Sequence, residues 1–165
     1  MKKFLLSIII FLSFSFESFS HVDHYDNFNY LKYELFRNNK SIGYHKFIFQ
    51  RKSDNLSVIS EVNFKITKLG VDLYNYFAKS EENYENGIFK SYSSKTKQNK
   101  KDRYVNINLD PANKNLLIDG SSYKGTANKE FIVGTWWNHE IVKANAQISG
   151  ISGRIIEQTV TFIGK

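Results

Sequence analysis

The segment from Leu56 to Thr67 constrains the fold more than any other, because it alternates apolar and polar residues with a period of two. Leu56, Val58, Val62, Phe64 and Ile66 fall on one face and Ser57, Glu61, Asn63, Lys65 and Thr67 on the other, with Ile59 and Ser60 as exceptions. Such a strand has one buried and one wet face, as in an antiparallel sheet. The pattern recurs. Tyr30 to Arg37 ends at Asn38-Asn39-Lys40, Ile42 to Arg51 at Ser53-Asp54-Asn55, and Leu73 to Glu85 at Asn86-Gly87, the strongest hairpin signal in the chain. Ile88 to Thr96, Arg103 to Leu109 and Asn115 to Asp119 follow, the last two separated by Asp110-Pro111-Ala112-Asn113. The single proline suits long ladders. The expected fold is all-β, an antiparallel meander curling into a half-barrel or barrel, with at most one short helix near 138–145. Arg154 to Ile163 is the last expected strand, either closing onto the first or leaving the sheet open.

The N-terminus reads differently. Lys2 and Lys3 precede an apolar run from Phe4 to Phe16, and Ser18-Phe19-Ser20 places small residues at the two cleavage-site positions. Residues 1–20 are therefore read as a signal peptide, with His21 as the new terminus. The run is interrupted by serines and falls short of the roughly 20 apolar residues a spanning helix needs. The chain has no cysteine, which excludes a lipidated cysteine, disulfides and thiol chemistry. The expectation is a soluble, periplasmic protein with a flexible tail over 21–29 and one domain over 30–165. Export separates it from cytoplasmic nucleotide pools.

The formal net charge is +7, which raises the question of an anionic partner. The basic residues are 19 Lys against 4 Arg, and they are dispersed, the densest run being Lys95, Lys97, Lys100 and Lys101. Recognition of nucleic-acid phosphates favours the Arg fork, so the excess is read as a solvated, lysine-rich surface and no nucleic-acid role is assigned. Peripheral contact with anionic lipid headgroups stays open.

Several strings carry a resemblance. Tyr33-Glu34-Leu35-Phe36 followed by Asn39-Lys40-Ser41-Ile42-Gly43-Tyr44-His45 is the first, then Ser60-Glu61-Val62-Asn63-Phe64 and Glu82-Asn83-Tyr84-Glu85-Asn86-Gly87. Trp137-Asn138 and Ile148-Ser149-Gly150 through Gly153-Arg154-Ile155 complete the order. In order and spacing these strings resemble an exported bacterial family, the domain of unknown function sixty-one thirty-four. The resemblance runs from about Tyr30 to the end, and it implies a chain that stops before the family's closing strands. It implies no activity, because the family has none assigned. Exported meanders of similar form hold an acyl chain in their concave face, so a lipid-like ligand follows by analogy of fold.

The candidate site residues are those that share the aromatic face. His45 is in phase with Phe47 and Phe49, where an imidazole serves either as a hydrogen-bonded sheet residue or as a ligand-orienting group. Glu82 is in phase with Tyr74, Tyr76 and Tyr84, which places a carboxylate among tyrosines and requires a partner such as a tyrosine hydroxyl, Lys90 or His45. Trp136-Trp137-Asn138 is the most distinctive string: either the two indoles plug one end of the barrel, or one packs into the core and the other stands at a rim. His21, Asp23, His24 and Asp26 are metal-ligand residue types in a short span, but a mobile tail accounts for them and no metal is assigned. Glu81 and Glu82 point to opposite faces, so they form no two-carboxylate site. Nucleophile elbows, phosphate loops and zinc motifs are absent, and no cofactor is assigned.

The sequence therefore favours a noncatalytic binder of an apolar or amphipathic molecule, with His45, Tyr74, Tyr76, Glu82, Tyr84, Trp136, Trp137 and Asn138 as the lining. The alternatives are an envelope module that meets a protein through a sheet edge, and an enzyme using His45 and Glu82 as an acid and base.

Overall fold

The computed structural model describes Tyr25, residues 27–161 and Ile163. The expected signal peptide and the metal-ligand types at His21, Asp23, His24 and Asp26 lie outside the described residues. Eight strands follow one another: β1 (Tyr30–Arg37), β2 (Lys40–Lys52), β3 (Asn55–Lys68), β4 (Val71–Glu85), β5 (Ile88–Gln98), β6 (Lys101–Asp110), β7 (Asn115–Gly120) and β8 (Lys124–Asn128). They form one antiparallel sheet in sequence order, and it stays open, with β1 and β8 as its edges. No described helix is long and apolar enough to cross a membrane.

The turns explain the order. Asn38-Asn39 and Asn86-Gly87 have positive φ at both central residues, the conformation that matches the twist of a two-residue hairpin. Leu69-Gly70 adopts the same geometry, with φ of 51° at the leucine. A branched aliphatic residue there costs about 1 kcal/mol against the right-handed alternative.

Strand length decides what is covered. β2, β3 and β4 have 13, 14 and 15 residues, so β4 spans about 50 Å. The second layer is far shorter. It comprises β9 (Ile132–Val133), a 3-10 turn (His139–Val142), β10 (Ala146–Ile148) and β11 (Ile155–Glu157). β10 is antiparallel to β11 and parallel to β9. This cap buries two groups of side chains on one face of the sheet. Val133 and Ile148 pack with Val105, Ile107, Leu116 and Ile118, and Trp137 packs with Phe47, Phe49, Leu56 and Val58.

The structure departs from the sequence reading at three places. The last strand is Ile155–Glu157 rather than Arg154 to Ile163, and it pairs with β10 in the cap instead of closing onto β1. The short strands β8, β9 and β10 have too few residues to establish a period and were not expected. The described part of the expected tail is docked, because Arg51 donates to the carbonyls of Tyr25 and Phe28 at 2.8 and 2.9 Å. The Tyr25 ring then stacks on Phe49 at 5.5 Å.

Candidate functional site

Glu82 lies where the two buried groups meet. Its register partners are Val58 on β3 and Tyr92 on β5, one from each group. Alternation on β4 turns Glu82 inward, where it is 2% exposed, and leaves Glu81 outside with Ser57 donating to it at 3.1 Å. Three donors satisfy the buried carboxylate. Tyr84 donates its hydroxyl to Oε1 at 2.5 Å, and Trp137 Nε1 and Thr135 Oγ1 donate to Oε2 at 2.9 and 3.2 Å. Asn138 Nδ2 donates to the Tyr84 hydroxyl at 3.4 Å.

Burial pushes the Glu82 carboxyl above its ordinary value, and the donors from Tyr84, Trp137 and Thr135 oppose that rise. Burial likewise raises the Tyr84 phenol well above its usual range, with the neighbouring Glu82 charge adding to it. Lys90, one of the expected partners of Glu82, pairs with Glu85 at 3.1 Å instead. Glu82, Tyr84, Trp137 and Asn138 are thus one assembly that fastens the segment from Thr135 to Asn138 onto the sheet. Asn138 also caps the 3-10 turn by accepting from the Glu140 N–H at 3.0 Å.

The remaining candidates lie further along the same face. His45 is opposite Val62, which is opposite Ala78, which is opposite Thr96. In the next row Phe47, Ser60, Ser80 and Ser94 follow one another across four strands. Small side chains at Ser60, Ala78, Ser80 and Ser94 leave a depression in the sheet, and a cavity of about 100 Å³ occupies it. His45 Nε2 is hydrogen-bonded to Ser60 Oγ at 2.9 Å, and Trp136 forms part of the cavity's upper wall. Gly150 closes that wall by accepting from Ser94 Oγ at 2.6 Å and from the Tyr92 hydroxyl at 3.0 Å. Burial holds the His45 imidazole below its ordinary value and pushes the Tyr92 phenol up to about 12.

Beyond this cavity the same face continues as an aromatic strip. Phe64 and Tyr76 are opposite one another with rings stacked at 5.1 Å, and Tyr74 stacks on Tyr76 at 6.4 Å. Gln98 donates to the Tyr74 hydroxyl at 3.0 Å. All three rings remain half-buried.

Trp136 and Trp137 divide, Trp137 being 3% exposed and Trp136 86% exposed. They do so from a loop rather than a strand. His45 and Glu82 do not come together. Glu82 is opposite Val58 and His45 opposite Val62, four residues apart on β3, or about 13 Å along the strand. Each is hydrogen-bonded to its own partners. Among the described residues no three His, Asp or Glu side chains gather to hold a metal ion.

On the other side of Glu82 a cleft of about 400 Å³ lies between the β4–β5 hairpin and the cap. Phe89, Phe131 and Ile132 wall it, with Lys129 and Glu140 also in its lining. Sequence reasoning missed this cleft, because the segment from Lys129 to Ile132 shows no periodicity that would place it against β5.

A family model described as Domain of unknown function (DUF6134) matches residues 33–165. No curated protein and no solved structure gives a match. The matched span takes in the whole site, from His45 through Glu82 to Gly150, and the chain belongs to this family of domains of unknown function.

Proposed function

We propose that the protein is exported and binds, without catalysing a reaction, an amphipathic molecule with an acyl-like chain along the uncovered part of its concave face. The basic start, apolar run and small residues before His21 support export. One observation carries the binding reading: the cap covers only part of a long sheet, so the stacked rings of Phe64, Tyr74 and Tyr76 continue the concave face as a half-buried strip. An apolar strip of this kind marks a surface that another molecule covers. The cavity beside His45, which shares Tyr76 with the strip and has Trp136 at its lip, offers hydroxyl and imidazole groups among apolar ones to a head group.

Native mass spectrometry of the protein purified after export tests the reading. The expected result is a lipid-sized mass increment that Tyr76→Ala reduces and Phe131→Ala, in the cleft on the other side of Glu82, leaves unchanged. Loss of the increment in Phe131→Ala alone moves the site to that cleft. No increment, together with no protection of Tyr74 and Tyr76 by added fatty acid, ends the reading.

A second reading rests on the β1 edge, where Tyr30, Tyr33 and Phe36 are exposed beside an unpaired backbone. Such an edge accepts an added strand from a partner protein. Cross-linking in envelope extract from a photoreactive residue at position 33 tests it, and no reproducible adduct counts against it.

A further inference from the structure

We infer that the end of the sheet carrying the β1–β2, β3–β4 and β5–β6 turns docks on the surface of an anionic bilayer. In a meander alternate turns lie at the same end, and shared grooves confirm that these three are neighbours. One groove is lined by Arg37 and Lys40 of the first turn region with Lys68 and Leu73 of the second. The next is lined by Leu73 and Asn75 with Lys100 and Lys101 of the third.

The middle turn is the unusual one. Leu69 is 94% exposed and held at a φ of 51°, with Val71 and Leu73 also exposed beside it. Every other described non-glycine residue at positive φ is Asn, Ser or Lys, the polar residues that tolerate or suit an exposed turn. An aliphatic side chain gains nothing there from the fold, since it has neither a buried contact nor a relaxed backbone. A local rule broken without an internal compensation points to a contact outside the chain.

The flanks supply the chemistry of that contact. Arg37, Lys40, Lys68, Lys100 and Lys101 are all exposed around the aliphatic turn. Of the acidic residues at this end, Asp72 is already tied to Lys65 at 2.9 Å, and Asp102 sits opposite Lys97 in register. An apolar tip set among cations matches a bilayer surface, where aliphatic groups enter the acyl boundary while lysines meet lipid phosphates. Nucleic acid would use the cations but leave Leu69 without a role. This docking does not depend on the ligand reading of the concave face.

Sedimentation with vesicles tests it on the protein purified after export. The protein is expected to sediment with phosphatidylcholine vesicles that contain phosphatidylglycerol and to stay in solution with phosphatidylcholine alone. Added salt lowers the bound fraction. Leu69→Asn keeps the turn, because Asn accepts positive φ, and is expected to melt no lower than the wild type while binding about tenfold more weakly. Lys100→Glu combined with Lys101→Glu lowers binding independently. Equal sedimentation with both vesicle types, no sedimentation with either, or unchanged binding by Leu69→Asn overturns the inference. So does duplex DNA binding as tightly as the vesicles and unaffected by Leu69→Asn. A ligand-free protein that still sediments separates this surface from the concave face.

Discussion

The indole nitrogen of Trp137 donates to Glu82 Oε2 at 2.9 Å across 55 residues of sequence. This bond joins the cap to the middle of the sheet, and it sits in the most deeply buried polar assembly of the described structure. The rings around it reinforce the join. Trp137 meets Phe49 and Tyr84 edge-on at 5.7 and 5.9 Å.

Trp137→Phe retains most of the ring packing and removes the indole donor. A hydrogen bond to a charged or strongly polar acceptor contributes about 2 kcal/mol, so urea unfolding should register a loss of that size. Glu82→Ala leaves three buried donors without an acceptor and should cost about 3 kcal/mol or more. Costs that simply add in the double variant would show that the two residues do not act through one another.

The pH dependence of this join has a definite sign. Burial raises the Glu82 carboxyl above its ordinary value of 4.5 in the folded state. Its contribution to stability is therefore fully present below pH 4.5 and is lost as the pH rises through the raised folded value. Glu61, Asp72, Asp110 and Asp119 are held below their ordinary values and pull the other way. The informative quantity is thus the difference between wild type and Glu82→Gln, which should move in favour of the variant as the pH rises above 4.5. A flat difference from about pH 4 to about pH 8 would mean that the three donors offset the burial completely.

His45 shows the opposite behaviour. Burial lowers its imidazole below the ordinary 6.5, so the stability it contributes is present above pH 6.5 and is lost as the pH falls through the lower folded value. The ring proton resonances of His45 should titrate with a midpoint below 6.5. A midpoint above it would require an acidic partner that the hydrogen bond to Ser60 does not supply.

How far the residues foretold this arrangement depends on their spacing. The first seven strands were legible because each is long enough to repeat its alternation, and Asn86-Gly87 announces its own turn. The inward face of β4 is legible for the same reason, since the alternation puts Tyr74, Tyr76, Glu82 and Tyr84 on one side. The division of the tryptophans is not strand alternation, because both lie in a loop. What held Glu82 was not legible. Thr135 and Trp137 reach it from an irregular loop, and the partners of a residue across 53 or 55 positions leave no periodic trace. Nor could phase separate His45 from Glu82, since phase gives the face but not the position along it.

Gly120 provides a packing test away from the carboxylate. A Cβ built there would lie 2.6 Å from the Ser152 carbonyl oxygen and 2.9 Å from the Gly153 Cα, both backbone atoms that cannot turn aside. Gly120→Ala should therefore destabilise by about 1–3 kcal/mol as it pushes the cap from β7. Gly70→Ala meets no atom within 4 Å and carries only the strain of φ +78°, so its cost should be about 1 kcal/mol. Chemical denaturation of the two variants checks the contrast, and equal losses would show that the approach of β7 to Ser152 is not tight.

The meander and its cap also differ in when they can exist. Every pairing in the eight-stranded sheet joins neighbours in sequence, so it can form hairpin by hairpin as the chain emerges. The cap's fastenings cannot, because Trp137 reaches back 55 residues to Glu82 and Gly150 accepts from Ser94 across 56. During synthesis the sheet is expected to present its whole inner face, Glu82 included, until residues beyond Gly150 are released. Pulse-labelled hydrogen exchange during refolding should protect the β2–β5 amides before those of β9 and β10. Simultaneous protection would mean that the sheet waits for its cap, and that the residues after Asn128 govern the folding of those before it.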